Sequence, residues 1–445
     1  MVNKPPDFVL PPRWTFLKHH PEQRRLWNSR ARFKVVSAGR RSGKTEYAKR
    51  YGVTFAIYSQ RPSPRVVFAA PTRPQAKDIY WKDLKALVPR ELVASISETE
   101  LKITLWHNNA TIEIHGLDKP ERIEGSPIDL LILDEFANMK ETAWDAHCRP
   151  ALSTLGRPGM AWLTGVPEGR GHYYDHHKRG LDPEEPAWDS FTWKSIDILP
   201  EHEIAEARRN LDPILFRQEY EGSFETITGL LYYCFKQETH AIRRLEVDPD
   251  LPLRFAFDFN VDPGTATVIQ EQPCDIAGFF PTVTAIIDEV HIPKDSNTEL
   301  VAKTLMERYS GHRSDVLVYG DPAGGSRHTS SSATDWDLID QIMGNHFRNH
   351  GVWFEKRVRK SDPGFKARTN STNSRFKTAS GEFGMLIDPR CKKTIEDYDK
   401  MTIKPGTAGE PNKKDKTISH LSDGVAYYLE MEHSPLEELS SSGHI

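Results

Sequence analysis

Hydrophobic residues in the first half of the chain fall into short runs that are separated by helical stretches. The runs FKVVSAG (from Phe33), RVVFAAPT, IDLLILDE and MAWLTGVPEG are apolar at consecutive positions rather than at alternate ones. Consecutive apolar residues are typical of strands that are buried on both faces of a sheet. Stretches such as KTEYAKRYGVTFAIY follow them with helical spacing. This alternation predicts an α/β fold with a mainly parallel sheet and flanking helices.

A second strand-rich block begins at LRFAFDFNVDPGTATVI and continues through TVTAIIDEVHI and DVLVYGD. Between the two blocks, the chain after Gly169 is helical and charged, and then irregular. The length of 445 residues also favours two domains with separate cores. We predict a first domain over 1–222, with a helical lid or linker subdomain from about 170, and an interdomain linker over 223–252. A second domain over 253–433 and a flexible tail over 434–445 complete the prediction.

Composition excludes several classes of protein. Hydrophobic residues make up 38% and charged residues 27%, with a mean hydropathy of −0.59, which is ordinary for a globular protein. No apolar run approaches the ~18 residues of a membrane-spanning helix, and the N-terminus lacks the apolar core of a secretory signal. The four cysteines lie far apart, so we expect neither a disulfide framework nor a structural zinc, and an intracellular location. The formal net charge of −4 means that nucleic-acid binding would have to use local basic patches.

A phosphate-binding loop is the first candidate for chemistry. The segment AGRRSGKT, between a predicted strand and a predicted helix, matches the P-loop pattern GxxxxGK[ST] except that Ala38 replaces the first glycine. In such a loop, backbone N–H groups wrap the phosphates near Gly43, Lys44 reaches the β- and γ-phosphates, and the Thr45 hydroxyl ligates Mg²⁺. The alternative is a surface turn that happens to contain Gly-Lys-Thr. The predicted ATP-binding loop consists of Ala38, Gly39, Arg40, Arg41, Ser42, Gly43, Lys44 and Thr45.

An acidic pair ends the apolar run LLILDE. A carboxylate in a buried strand is costly unless it serves a metal or a partner. In P-loop ATPases the first acid holds Mg²⁺ and the second activates the attacking water, and Asp134 and Glu135 match that order. A solvated acidic pair at a strand end is the alternative, and the upstream AGRRSGKT disfavours it.

Other side chains could complete this ATPase site. Thr164, in WLTGVPEG, can sense the γ-phosphate and signal to the next domain. Gln23, in HPEQRRLW, can read the adenine edge, or it is an exposed helix residue. Arg40 and Arg122 are candidates for stabilising transferred charge, Arg40 within its own subunit and Arg122 on the nucleotide of a neighbour. A plain surface arginine is the alternative for each.

Three aspartates in the second half each end or open an apolar element. Asp258 lies in RFAFDFNVDPGTA, Asp321 follows VLVYG, and Asp423 starts a helix in ISHLSDGVAYYLE. If they converge, they can hold the two Mg²⁺ or Mn²⁺ ions of a nuclease that clamps both oxygens of an in-line phosphodiester cleavage. Alternatively, Asp321 is a turn former and Asp423 a helix N-cap. Glu289, in IIDEVHI, is a weaker candidate for a fourth metal ligand.

A basic stretch lies between the second and third aspartates. Residues 354–380 contain eight Lys and Arg against two acids, an excess of six positive charges that suits a track for a phosphate backbone. A solvated basic loop is the alternative. The predicted DNA-binding residues are Lys356, Arg357, Arg359, Lys360, Lys366 and Arg368.

In their order, these motifs resemble the large terminase subunit of tailed double-stranded DNA bacteriophages or prophages. The resemblance rests on AGRRSGKT, APTRPQAKDIYW, LLILDEF and LTGVPEG, followed by AFDFNVDPGTA, YGDPAG and SHLSDGVAYYL, and spans nearly the whole chain. It implies ATP-driven translocation of DNA into a procapsid by the first domain. It also implies an RNase H-like second domain that cuts concatemeric DNA with metals on Asp258, Asp321 and Asp423. Arg40 then takes the place of the family's loop arginine, and Thr164 falls in its coupling motif.

The resemblance further implies partners and a location. The partners would be double-stranded DNA, a small terminase subunit and the portal protein of the procapsid. The active form would be a ring on the portal, expected to be a pentamer, whereas the isolated chain can be a monomer. It would act in the cytoplasm of the infected bacterium, without a membrane and outside the mature virion.

Two other functions are compatible with parts of the sequence. One is a helicase-like or repair ATPase whose second half only binds nucleic acid, but no later helicase motif with paired arginines is found. The other is an assembly component with a degenerate ATP site, which the intact Lys44, Thr45, Asp134 and Glu135 disfavour.

Overall fold

The structure is a computed structural model that describes residues 5–14, 20–225, 229–259, 262–325, 334–404, 407, 409–414 and 418–435. The chain divides into two compact units, one formed by 1–204 with 217–226 and the other by 205–216 with 227–445. The domain bounds at 222, 252 and 433 stay predictions. Most of the predicted flexible tail, 436–445, lies outside the described residues.

The first unit is built on one large sheet. Its strands are β1 (Phe33–Ala38), β2 (Arg65–Ala70), β3 (Val93–Ser97), β4 (Lys102–Leu105), β5 (Thr111–Gly116), β6 (Leu130–Leu133), β7 (Ser153–Thr154), β8 (Arg157–Pro158), β9 (Met160–Gly165) and β10 (Trp188–Trp193). The sheet has the order β10-β1-β9-β6-β2-β5-β4-β3, and β7 and β8 form a separate ribbon. The strands from β10 to β5 are parallel, and β4 and β3 continue antiparallel.

Helices cover this sheet. They are α1 (Pro21–Asn28), α2 (Lys44–Tyr58), α3 (Arg73–Leu87), α4 (Glu141–Ala143), α5 (Arg149–Ala151) and α6 (His172–Arg179), and α7 (Glu201–Asn210) and α8 (Pro213–Glu221) follow where the chain passes between the units. Short 3-10 helices span Arg90–Leu92, Pro120–Ile123, Phe136–Asn138 and Ser195–Asp197, and a π-helix spans Trp144–Cys148. Strands β1 and β6 are buried at every position, as their consecutive apolar residues predict, because helices pack on both faces. The predicted α/β class is confirmed.

The second unit contains a mixed sheet. Its strands are β11 (Leu253–Asp258), β12 (Gly264–Pro273), β13 (Phe279–Ile292), β14 (Val316–Gly320), β15 (Phe354–Lys356) and β16 (Phe383–Ile387), in the order β15-β14-β11-β12-β13-β16. β11, β12 and β13 are antiparallel neighbours, whereas β14 and β15 continue from β11 in parallel. This arrangement is the RNase H-like one that was predicted.

The helices of the second unit are α9 (Gln237–His240), α10 (Thr298–Tyr309), α11 (Asp335–Ile339), α12 (Asn345–Asn349), α13 (Phe365–Phe376), α14 (Lys392–Lys400) and α15 (His420–Glu432). A 3-10 helix spans Pro322–Gly325 and a π-helix spans Asp340–Gly344. Helix α15 lies against β11, β12 and β14, and its apolar face joins the core with Tyr319 and Ile269. Because α15 comes late in the chain, this packing brings its first turn to strands that are more than 100 residues away.

Candidate functional site

The phosphate-binding loop connects β1 to α2 in the first unit. Gly43 directly precedes α2 and has φ +81°, a left-handed conformation that glycine adopts without strain. Arg41 also has a positive φ, of 55°. The loop therefore turns sharply before the helix, and the first N–H groups of α2 have no carbonyl partner within the helix.

Gly39 fixes the start of this loop because there is no room for a side chain. A Cβ atom at Gly39 would lie 2.3 Å from the Ser195 hydroxyl and 2.8 Å from the Tyr220 carbonyl oxygen. The Gly39 N–H donates to the Trp193 carbonyl over 3.1 Å, and the Ser195 hydroxyl donates to the Arg40 carbonyl. The loop is thus held by the residues at the end of β10.

Gln23 supports the other side of the loop. This buried side chain donates from Nε2 to the Ser42 carbonyl over 3.1 Å, and its Oε1 accepts from the His20 N–H over 3.1 Å. The Trp193 indole donates to the same Ser42 carbonyl over 3.0 Å. The Gln23 amide thus supports the loop. Adenine recognition by Gln23 stays a prediction. The Ser42 hydroxyl is buried without a hydrogen-bond partner among the described residues, which fits a loop that receives a ligand.

Lys44 begins α2 and carries the cation of the loop. Its Nζ donates to the Gly39 carbonyl over 3.4 Å, a long hydrogen bond. Burial lowers the pKa of Lys44, and the nearby carboxylates of Asp134 and Glu219 oppose that shift. The Arg40 guanidinium lies 3.8 Å from the Glu219 carboxylate.

Asp134 joins two other predicted site residues. It follows β6 and is 2% exposed. Its Oδ2 accepts from the Thr45 hydroxyl and its Oδ1 from the Thr164 hydroxyl, each over 2.7 Å. These contacts form because β6 and β9 are adjacent parallel strands that end at the same edge of the sheet, next to the start of α2. Thr45, Asp134 and Thr164 are therefore brought together.

Glu135 stands beside this group in an unusual backbone conformation. Its φ is +54°, which is left-handed. Burial raises the pKa of Glu135, and the charge of Asp134 raises it further. The Gln75 side chain donates to Glu135 Oε2. Sequence reasoning gave Gln75 no role, although it lies in the motif APTRPQAKDIYW, and a polar residue at the start of a helix after a buried strand is the signal that could have found it.

Arg122 follows β5 in the first unit. It lies in the 3-10 helix Pro120–Ile123 and borders an open pocket of about 440 Å³ with Arg73, Lys102 and His115. Its role on a neighbouring subunit's nucleotide stays a prediction.

In the second unit, the register of two strands brings two of the predicted aspartates side by side. Phe257 of β11 pairs with Gly320 of β14 in parallel register, and Asp258 and Asp321 each come next along the chain. A Cβ atom at Gly320 would lie 2.6 Å from the Phe257 carbonyl oxygen, so the strands approach closely here. The Asp321 carboxylate also accepts from the Ala323 N–H over 2.7 Å, as a turn-forming aspartate does.

Asp423 reaches the same strand ends from α15. Ser419 occupies the N-cap position of this helix, so Asp423 lies in its first turn and the alternative of a helix N-cap is wrong. Beside it, a Cβ atom at Gly424 would lie 3.3 Å from the Ala256 carbonyl oxygen. The helix therefore contacts β11 through the residue that follows Asp423.

Basic side chains pair with two of these carboxylates. Asp258 Oδ2 lies 3.0 Å from His420 Nδ1. Lys413 Nζ donates to Asp423 Oδ2 over 2.8 Å, and Arg368 Nη1 lies 3.5 Å from Asp423 Oδ1. Burial raises the pKa of Asp258, and its hydrogen bond with His420 opposes that shift. Sequence reasoning missed His420, although His420 and Asp423 are three residues apart on one helix and so share a face.

The three aspartates supply the hard oxygen donors that Mg²⁺ and Mn²⁺ prefer. Their side chains, however, are not grouped as the ligands of a metal ion. Within the part of the chain that the structure describes, no three His, Cys, Asp or Glu side chains lie close enough together to hold a metal ion. The donor set fits divalent ions, whereas the arrangement is one in which protein cations hold the carboxylates. The two-ion assignment stays a prediction.

Glu289 is engaged in a different way. Its Oε1 accepts from the Lys393 N–H over 3.0 Å, and its Oε2 accepts from the Thr394 N–H over 2.8 Å and from the Thr394 hydroxyl over 2.9 Å. Both oxygens thus accept from N–H groups of the first turn of α14, which have no carbonyl partner within the helix. Metal ligation by Glu289 stays a prediction, and it would require giving up these bonds.

The basic stretch carries less free charge than its sequence suggests. Arg357 lies 2.9 Å from Glu432 and Arg359 lies 3.1 Å from Glu430, both on α15. Lys356 lies 3.9 Å from Asp340. Counting charges along the sequence misses these acids because they come from distant segments. Of the predicted DNA-binding residues, Arg368 is buried, and those with exposed side chains are Lys356, Lys360 and Lys366.

The first half of the chain is similar to a known family. Residues 35–238 match the family described as terminase large subunit, T4likevirus-type, N-terminal. Through these residues, the chain is similar to terminase large subunits. The match contains the end of β1, the phosphate-binding loop, Asp134, Glu135 and Thr164.

Two curated relatives are also large terminase subunits. The one from Thermus phage G20c is 28% identical over 240 residues, which cover 46% of this chain and 49% of the relative. The one from Escherichia phage T5 is 26% identical over 220 residues, which cover 48% and 49%. The chain thus spans about half the length of the curated relatives that it matches.

A solved terminase extends the likeness of the fold to the second unit. The large terminase of a thermophilic bacteriophage has a TM-score of 0.62 and 16% identity, covering 93% of this chain and 98% of that one. At this identity the likeness shows the fold alone. Among the described residues, no helix combines the length and the apolar composition that a membrane crossing requires.

Proposed function

We propose that the first unit binds and hydrolyses ATP. The observation that carries this proposal is the hydrogen-bonded group of Thr45, Asp134 and Thr164 beside a left-handed glycine loop. The buried, unbonded hydroxyl of Ser42 supports it. The large terminase of the thermophilic bacteriophage has been solved with ADP and with ATP-γ-S, which supports a nucleotide in the same fold.

Each side chain has a role in this proposal. The N–H groups of the loop and the Lys44 ammonium would hold the phosphates, and the Thr45 hydroxyl and the Asp134 carboxylate would hold Mg²⁺. Mg²⁺ supplies charge neutralisation on the phosphate oxygens when it is bound. Glu135 orients the attacking water and accepts its proton, since it is the acid left free of a hydroxyl donor beside Asp134. Arg40 stabilises charge from within the subunit, and Arg122 from a neighbour.

ATP turnover tests this assignment. Glu135→Gln should retain nucleotide binding and lower ATP turnover by about a hundredfold or more, because the proton acceptor is lost. The matched control is Glu141→Gln, an exposed acid at the start of α4, which should leave turnover unchanged. Full turnover in Glu135→Gln would show that the general base lies elsewhere.

We propose that the second unit cleaves double-stranded DNA with two divalent ions. This proposal is supported by the placement of Asp258 and Asp321 at neighbouring strand ends and by the packing of the Asp423 helix turn on β11. The three carboxylates would hold Mg²⁺ or Mn²⁺, which activates water and stabilises the leaving oxygen when bound. The RNase H-like sheet supplies the rigid frame that positions them.

The exposed lysines of the basic stretch would guide the DNA backbone. Lys356 ends β15, Lys366 lies in the first turn of α13, Lys360 lies between these elements, and all three residues are exposed. Arginines whose charge is balanced by α15 acids would contribute less. We therefore assign the phosphate track first to the lysines and second to Arg357, Arg359 and Arg368.

Plasmid cleavage tests the nuclease assignment. The wild-type chain should nick supercoiled plasmid in Mn²⁺, and Asp258→Asn should reduce nicking at least about a hundredfold, because a metal ligand is lost. Asp275→Asn is the matched control, since Asp275 is an exposed aspartate of the same unit. Unchanged cleavage by Asp258→Asn would exclude this site.

Together these activities define the function that we propose for the chain, a subunit of a viral DNA-packaging motor. ATP hydrolysis would drive double-stranded DNA into a procapsid, and the nuclease would cut concatemeric DNA. Its partners would be a small terminase subunit, the portal protein and further copies of the chain in a ring, in the cytoplasm of the infected bacterium. DNA-stimulated ATP turnover would support this coupling, and turnover that ignores DNA would contradict it.

A further inference from the structure

Two protein cations share the carboxylate of Asp423. Lys413 Nζ lies 2.8 Å from Oδ2, and Arg368 Nη1 lies 3.5 Å from Oδ1. The Asp423 side chain is only 16% exposed, whereas that of Lys413 is 56% exposed. One cation is thus fixed inside the unit, and the other approaches the carboxylate from the solvent side.

Arg368 is the fixed cation, and its hydrogen bonding is incomplete. The residue is 9% exposed and its guanidinium carbon lies 4.3 Å from the centre of the Tyr427 ring. Its Nε forms no hydrogen bond among the described residues, although Asp362 lies 3.7 Å away. A buried guanidinium with an unused N–H costs free energy, and an anionic oxygen would satisfy it.

Lys413 donates to Oδ2, one of the two oxygens that the Asp423 carboxylate offers to an ion. A divalent ion and an ammonium group are both attracted to the negative charge of this carboxylate and repel each other, so the two compete for it. His420 pairs with Asp258 in the same way, which agrees with the finding that the described acids do not form a ready metal site. The ion pairs therefore stand where metal–carboxylate contacts would form.

When a divalent ion binds the Asp423 carboxylate, Lys413 and Arg368 lose their anionic partner. Two divalent ions would neutralise the three aspartates and leave both protein cations beside excess positive charge. Like charges at this distance repel, and an anion would remove the repulsion. The anion that a nuclease brings to its metals is the phosphodiester of its substrate.

We propose that Lys413 and Arg368 exchange the Asp423 carboxylate for a DNA phosphate when a divalent ion binds Asp423. This inference rests on the proposed nuclease function. Lys413 competes with the ion when DNA is absent and binds the backbone when DNA is present. Divalent ions and DNA consequently bind with positive coupling, and each raises the affinity for the other by the same factor.

The test measures Mn²⁺ binding to the full chain by calorimetry, with and without a blunt 30-base-pair duplex. Ca²⁺ replaces Mn²⁺ in a parallel series to follow duplex binding alone. Without DNA, Lys413→Ala should bind Mn²⁺ about threefold more tightly than the wild type, because a competing ion pair is gone. In the same variant, the duplex should strengthen Mn²⁺ binding less than it does in the wild type.

Lys414→Ala is the matched control, because Lys414 is the next lysine along the chain and is exposed. It should behave like the wild type in both titrations. Arg368→Lys keeps the buried charge and should retain most of the coupling, whereas Arg368→Gln should lose it. Lys413 is exposed, so its replacement leaves the fold intact and gives the decisive result.

Two outcomes would overturn the inference, and they are distinguishable. If the wild type binds Mn²⁺ and cuts DNA but Lys413→Ala matches Lys414→Ala, only the exchange is wrong. If Asp258→Asn binds as much Mn²⁺ as the wild type, or if neither protein binds Mn²⁺, the proposed nuclease function fails and the exchange fails with it.

Discussion

Thr164, at the end of β9, donates a 2.7 Å hydrogen bond from its hydroxyl to Oδ1 of Asp134, which follows β6. Thr45 donates to the other oxygen over the same distance. A carboxylate that is 2% exposed is stable only when such donors surround it. Thr164 therefore has a structural task at Asp134 in addition to the coupling role that we predict for it.

Replacement of Thr164 by valine should lower the free energy of unfolding by about 1–3 kcal/mol. Valine keeps the shape of threonine but removes the hydroxyl that donates to Oδ1 of a buried carboxylate, and among the described residues this oxygen then accepts only from the Glu135 N–H. Urea denaturation followed by tryptophan fluorescence measures the change, and Trp162 of the same strand lies in the core of this unit. Thr164→Ser is the control and should retain most of the stability. Equal midpoints for all three proteins would show that the hydrogen bond adds nothing.

Replacement of Gly39 by alanine should abolish nucleotide binding. The new Cβ atom would lie 2.8 Å from the Tyr220 carbonyl oxygen, a backbone atom that cannot turn away, so the loop has to shift. Gly171→Ala is the control because a Cβ atom there meets nothing within 4 Å. Fluorescent ATP binding measures both variants. Wild-type affinity in Gly39→Ala would mean that the loop tolerates displacement.

Much of the fold and part of the candidate site could be predicted from the sequence. Helix α2 has the bounds Lys44–Tyr58, the same as the stretch that the helical spacing indicated. Asp134 and Thr164 come together because consecutive apolar runs predict parallel strands, and such strands end at one edge of a sheet. In these two cases, the local sequence pattern and the general topology of parallel sheets are enough to predict the structure.

The rest depends on contacts between residues that are distant in the sequence. Arg359 pairs with Glu430, 71 positions away, so no count within the basic stretch could reveal its neutralisation. Glu289 accepts a hydrogen bond from an N–H group at the start of α14, 105 positions away. The strand motif that contains Glu289 does not indicate this contact. Lys413 lies near Asp423 in the sequence, but the sequence does not show that it reaches the carboxylate. These pairings follow from how α14 and α15 pack on the sheet.

Glu271 should make the stability of the second unit dependent on pH in the acid range. This glutamate of β12 is contacted by Arg375 at 2.8 Å and by the His433 ring nitrogen at 3.2 Å. Burial opposes its ionisation, but the hydrogen bond with His433 and the charge of Arg375 outweigh burial and lower the pKa of Glu271 to about 2. The unfolded chain binds this proton more readily, so ionised Glu271 stabilises the folded state above pH 4.5.

This contribution should be lost as the pH falls from 4.5 towards 2, and the full shift corresponds to about 3 kcal/mol. By pH 3.5, about 1 kcal/mol of it should be gone. Urea denaturation of the wild type and Glu271→Gln from pH 7 to pH 3.5 measures this difference. The gap in unfolding free energy between the two proteins should narrow as the pH falls. A gap that stays constant would show that Glu271 has an ordinary pKa.

Replacement of Gly424 by valine should impair DNA cleavage and spare ATP turnover. A Cβ atom at Gly424 would already lie 3.3 Å from the Ala256 carbonyl oxygen, and the two methyl groups of valine need more room. The first turn of α15 would move away from β11 and carry Asp423 with it. A displacement of about 1 Å at a catalytic group can reduce the rate a hundredfold, so we expect nicking in Mn²⁺ to fall at least about tenfold.

The control for this prediction is Gly311→Val, because a Cβ atom at Gly311 meets nothing within 4 Å and the residue lies in the same unit. Circular dichroism and ATP turnover should show that both variants are folded and that the first unit is active. Gly424→Ala should give an intermediate loss, since a single methyl group needs a shift of only a few tenths of an ångström. If Gly424→Val cuts plasmid at the wild-type rate, the close packing of α15 on β11 does not position Asp423 for cleavage.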